Sequence, residues 1–128
     1  MDIDKLAKKI GSSLSADYDG ETNQLLDNIY DVLQSFYESM GIQSELYREA
    51  SIGGSNYTKY INIKDTGLEY EQVGSKINIY KVKQFNSGNR EKIGEIIKVN
   101  NNFVLNDEQF NLDIINQHLY DVFSKLVD

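Results

Sequence analysis

The sequence predicts an α+β domain in which an antiparallel meander of about five strands is covered by two N-terminal helices and one C-terminal helix. Three observations carry this. Apolar residues recur with a helical period at both ends of the 128-residue chain and with a period near two between them. Short clusters rich in Gly, Asn and Ser separate the central runs, and connections this short join antiparallel neighbours but leave no room for parallel crossovers. Charge follows the same division. Residues 1–41 carry eight acids against three bases, 42–105 seven against nine, and 106–128 five against one, so net charges of −5, +2 and −4 make up the total of −7.

Ile3, Leu6, Ile10 and Leu14 recur at helical intervals behind Asp2, a residue suited to an N-cap, and predict a helix over about 3–14 with Gly11 as a weak point. The polar turn 15–20 follows. Leu26, Ile29, Leu33, Phe36 and Met40 then alternate three- and four-residue spacings, which aligns them as one stripe along the strongest helix of the chain. Asp19 and Glu21 stand at its positive N-terminal pole, and Gly41 stands where a left-handed C-terminal cap is wanted.

From Ser44 the period shortens. Candidate strands run over 44–51, 57–64, 68–73, 76–85 and 90–99, with a short sixth piece at 103–105. The breaks at 53–56, 65–67, 74–75, 86–89 and 100–102 hold residues that tolerate positive φ or close Asx-type turns. Leu112, Ile115, Leu119, Val122 and Leu126 form a second clean stripe, capped by Asn106 or Asn111, with staple pairs Leu105–Phe110 or Phe110–Ile115 to match. The likeness of Ile29-Tyr30-Asp31-Val32-Leu33 to Leu119-Tyr120-Asp121-Val122-Phe123 reflects two amphipathic helices, since nothing between them repeats.

With 40% apolar and 26% charged residues the chain reads as one globular domain spanning 1–128, and it contains no apolar run long enough for a signal peptide or a membrane span. A cytoplasmic location is the expectation. The absence of cysteine excludes disulfides, thiolate nucleophiles and zinc–thiolate sites. Abundant Asn, Ile, Lys and Tyr, without Pro or Trp, fit an AT-rich bacterial or phage genome.

Few constellations bear chemistry. The Asp17-Tyr18-Asp19-Gly20-Glu21 turn places oxygens at alternate positions as a calcium loop does, but Ser15 falls at the first loop position and Leu26 where the bidentate Glu belongs, so no metal is expected there. Gly53-Gly54 lacks the Lys-Ser/Thr of a phosphate loop and predicts a mobile hairpin tip. His118 is the only histidine, which rules out a multi-histidine metal site and leaves general acid–base work without a visible orienting partner. Tyr57, Tyr60, Tyr70 and Tyr80 interleave with Lys59, Lys64, Lys76, Lys81 and Lys83 as a single-strand binding platform would, yet a net charge of −7 opposes a polyanion, so direct nucleic-acid binding is not expected.

The remaining constellation is acidic. Asp27, Asp31, Gln34 and Glu38, spaced four, three and four apart, share the face of the second helix away from its stripe, and Asp113, Gln117, Asp121 and Asp128 form a comparable line on the last. Like charges at i,i+4 cost a few tenths of a kcal/mol, and no lysine relieves Asp27 and Asp31. Such a stripe suits steering toward a basic surface. The expected function is a non-enzymatic protein-binding module, an adaptor or inhibitor that docks on a basic partner surface through Asp27, Asp31, Gln34, Glu38 and Asp121, with no catalytic residue and no cofactor. A small-ligand carrier, with a tyrosine-lined apolar cavity between the sheet and the last helix, is the alternative. An enzyme using carboxylates alone comes third.

Overall fold

Asp2 initiates the chain's first regular element, because its side chain accepts a hydrogen bond from the Lys5 N–H at 3.1 Å and so satisfies a donor that the first helical turn leaves free. The computed structural model describes residues 2–16, 18–41, 49–83 and 89–127. Helix α1 (Ile3–Ala16) is followed by α2 (Gly20–Ser39), seven strands, and α3 (Asp113–Phe123), which ends in a 3₁₀ turn at Ser124–Leu126. The strands are β1 (Ala50–Gly54), β2 (Thr58–Ile63), β3 (Thr66–Val73), β4 (Lys76–Lys83), β5 (Arg90–Val99), β6 (Asn102–Leu105) and β7 (Glu108–Gln109). All pair antiparallel in sequence order. The fold is thus the α+β meander the sequence predicts, with seven strands in place of about five.

Register explains the core. Ile52, Ile61 and Leu68 lie opposite one another across β1, β2 and β3; Tyr70 faces Ile79, and Ile77 faces Ile96. These side chains share one face of the sheet, and Leu26, Ile29 and Leu33 of α2 and Ile115, Leu119 and Val122 of α3 close over them in a single buried cluster. Both predicted stripes therefore serve the burial they imply, except at Leu112, which precedes α3 and is exposed. Helix α1 differs. Every described side chain from Asp2 to Leu14 is exposed, so the cover of the sheet comes from α2 and α3.

Several boundaries move for local reasons. In the hairpins joining β5 to β6 and β6 to β7, both central residues take positive φ (Asn100 and Asn101 at 51° and 66°, Asn106 and Asp107 at 54° and 64°), as two-residue hairpin loops require. Asn106 is consequently a hairpin residue. It is Asn111 whose side chain accepts from the Asp113 N–H at 3.0 Å and opens α3. Gly53 and Gly54 belong to β1 rather than to a hairpin tip; Gly54, at φ 143°, lets the backbone pass close to the Thr58 carbonyl. Most of the predicted strand 44–51 and the turn residues 86–88 lie outside the described residues. Among the described residues no helix is long and apolar enough to cross a membrane.

Candidate functional site

The N-terminus of α2 is where the helix is fastened. Asp19 accepts from the Thr22 N–H at 3.0 Å, and its carboxylate meets the Lys98 ammonium of β5 at 3.0 Å. Lys98 also reaches Glu21 at 3.2 Å. The Thr22 N–H, followed by the lysine, holds the Asp19 carboxyl below its ordinary range, and the Asp19 hydrogen bond raises Lys98 above its own. Gln72 completes the tie. Buried at 5% exposure on β3, it donates to the carbonyls of Asp19 and Gly74, and its oxygen accepts from Asn23. The acids at this pole are thus committed to the fold, and Leu26, which stands where a calcium loop needs its Glu, is fully buried. Asp17 lies outside the described residues.

Farther along α2 the acids have no such employment. Asp27, Asp31, Gln34 and Glu38 are exposed on the side of the helix away from the core, and among the described residues no ion pair engages Asp27, Asp31 or Glu38. The nearby cation Lys59 sits instead over the Tyr30 ring, 5.1 Å from its centroid. Asp121 is exposed on α3, where it accepts from Gln117 at 2.8 Å, and Asp113 lies in the first turn of that helix. The structure therefore brings the four α2 residues onto one line and leaves Asp121 on a separate helix. Asp128 is outside the described residues.

The tyrosine–lysine platform is divided between the two faces of the sheet. Tyr70 points into the core, whereas Tyr60 and Tyr80 project from the opposite face. Arg90 lies 4.1 Å from the Tyr80 ring centroid and pairs with Glu69 at 3.3 Å and Glu71 at 3.5 Å. Sequence reasoning missed this cluster, and its origin is a bulge: Ile79 pairs with Gly94 but Tyr80 pairs with Lys92, so Ile93 is the extra residue and Arg90 arrives opposite Val82. Desolvation pushes the Glu69 carboxyl up while Arg90 opposes the shift. Perturbed acids cluster at active sites but also in structural ion pairs, and the Arg90 bonds place Glu69 with the latter.

His118, on α3, is half-buried, with Nδ1 2.7 Å from the Tyr70 hydroxyl. Burial keeps the Tyr70 phenol protonated well above its ordinary range and lowers the His118 imidazole, with the charge of Asp121 acting the other way. A depressed imidazole means that the unfolded chain takes up a proton the folded chain resists. Stability is accordingly expected to be insensitive to this residue above about pH 6.5, the ordinary imidazole value, and to fall as pH drops below it. Urea denaturation between pH 7.5 and 5, which are about one unit above and 1.5 below that value, checks this. A His118→Asn variant retaining the same slope would remove His118 as its cause.

An apolar groove of about 490 Å³ opens at the C-terminal ends of α2 and α3, lined by Phe36, Met40, Ile63, Leu119, Phe123 and Val127 among others, with Lys64 at its wall. Phe36 and Phe123 stack at its base, centroids 6.3 Å apart. Tyr120 is the one tyrosine in its lining, which is otherwise largely aliphatic and phenylalanine. Among the described residues no group of three or more His, Asp or Glu side chains is arranged to hold a metal. Comparison with protein-family models, with curated proteins and with solved structures found no match.

Proposed function

We propose that this chain is a non-enzymatic protein-binding module, an adaptor or inhibitor that docks on a basic partner surface through Asp27, Asp31, Gln34 and Glu38, with Asp121 as a flanking contact. The observation that supports this is the contrast between two sets of acids. Asp19, Glu21, Glu69, Glu71 and Glu95 are all paired with cations of the sheet, whereas the exposed line on α2 has no cation against it among the described residues. An uncompensated stripe gains most from a cationic partner and accelerates encounter with it.

The test is kinetic. A partner recovered by affinity capture from the source cells is expected to associate more slowly with the Asp27→Lys/Asp31→Lys/Glu38→Lys protein, and the difference should shrink at high salt, since exposed charges are screened over roughly 10 Å at 0.1 M ionic strength. The fold should survive because substitutions at exposed sites usually stay within about 0.5 kcal/mol. An unchanged association rate removes the acidic face from the mechanism. The groove favours a second reading, a carrier of a small apolar ligand, which native mass spectrometry of the purified protein checks by a retained adduct.

A further inference from the structure

We infer that α1 is an intermolecular arm, which lays its apolar stripe in the groove between α2 and α3 of a second copy of this chain, so that two copies exchange arms reciprocally. Ile3, Leu6, Ile10 and Leu14 are exposed at 62, 48, 51 and 67% although their spacing puts them on one side of the helix, with Lys5, Lys8 and Lys9 off that stripe. A helix of 14 residues that includes Gly11 and several serines is marginal by itself in water. Its persistence calls for an apolar surface. The groove is the complementary feature, a preformed apolar trough whose outer wall residues Tyr120 and Val127 remain 69 and 88% exposed. An amphipathic helix in such a trough is a recurrent mode of recognition.

Chain connectivity selects the second copy. Residues 17–19 alone join α1 to the N-terminus of α2, whereas the groove lies at the far end of that 20-residue helix, about 30 Å away at 1.5 Å per residue. Helix α1 is about 21 Å long by the same measure. Folded back along α2, it brings at most its first turn to its own groove and leaves Ile10 and Leu14 beside the polar outer residues Gln24, Asp27 and Asn28. The arm of another copy has no such tether. Charge points the same way: residues 1–16 carry three lysines and two acids, and the rest of the chain carries eighteen acids against ten bases, so an arm of +1 meets a body of −8. That body is repelled by an anionic bilayer, the other surface a basic amphipathic helix fits. Because each copy has one arm and one groove, reciprocal exchange closes as a two-fold dimer.

Light scattering on the full chain is expected to give twice the monomer mass at high concentration. Leu6→Glu/Ile10→Glu and Tyr120→Glu/Val127→Glu, each altering exposed residues, should both give monomers with unchanged circular dichroism of the sheet. Mixed together, the two variants should recover a dimer, because one intact arm and one intact groove remain. The inference is overturned by a wild-type monomer at all concentrations, by a dimer that survives in both variants, or by variants that do not complement. It is equally overturned by a monomer that sediments with phosphatidylserine vesicles through α1, or by one that retains a small molecule in the groove. Asp27, Asp31 and Glu38 are exposed on the side of α2 away from the core and are not in the groove lining, and only the flanking Asp121 adjoins it, so the two tests are read separately.

Discussion

Leu33→Ala is expected to lower the unfolding free energy by about 2–5 kcal/mol, the cost of lost burial plus the cavity left when neighbours relax only in part. Leu33 is fully buried at the middle of the α2 stripe, in the same cluster as Ile29, Ile61, Leu68 and Leu119, so contacts from both the sheet and the last helix surround the deleted methyls. Against a total stability of about 5–15 kcal/mol, that loss leaves a marginal protein. Urea denaturation measures it, with Gln34→Ala as the exposed control one residue along, expected within about 0.5 kcal/mol. Equal effects at the two positions would mean that the buried face of α2 is misassigned.

Gly54→Ala is expected to cost about 2–4 kcal/mol, through backbone strain rather than through a lost contact. At φ 143° an L side chain is disfavoured, and an added Cβ falls on the Thr58 carbonyl, the same oxygen that accepts from the Ser55 N–H at 2.7 Å. Both atoms are backbone, so relief requires opening the β1–β2 turn. Gly53→Ala is the control. Its Cβ meets the Tyr60 hydroxyl at 3.1 Å, a side-chain atom rather than backbone, at an ordinary strand φ, and the expected loss is below about 1 kcal/mol. Amide exchange across β1 and β2 should quicken in the Gly54 variant alone, and equal exchange in both would sink the strain argument.

The sequence discloses most readily what depends on local period. The stripes of α2 and α3, the Asp2 cap, the acids at the N-terminal pole of α2 and the Asn100–Asn101 turn follow from residue chemistry within one or two turns of chain. Strand β7 has two residues, too few to show a period, and the Asn106–Asp107 turn that creates it is equally consistent with a helix cap. The Arg90 cluster depends on the single-residue bulge at Ile93, which alternation alone does not reveal. The acidic line on α2 was legible as a line. Its lack of counterions was not, because the cations that decide the matter, Lys59 and Lys98, come from strands whose register sends them to Tyr30 and to Asp19 and Glu21. Nor does an apolar stripe say what it packs against, so α1 reads from sequence like α2 and yet remains uncovered.

The sheet's spatial order, identical to its order along the chain, bears on how this molecule reaches its native state. Each ladder can close as a local hairpin once the preceding one has formed, so no strand must search across a long intervening loop for its mate. Loop-closure entropy is then met in small successive steps. Chains dominated by near-neighbour pairings have low relative contact order and collapse to their final topology faster than Greek-key sandwiches of similar size. The exception is the roof of the core, since α2 precedes the strands and α3 follows them, and both must settle on the same face. A folding rate limited by helix docking, with hairpin formation already complete, is the kinetic signature of this arrangement.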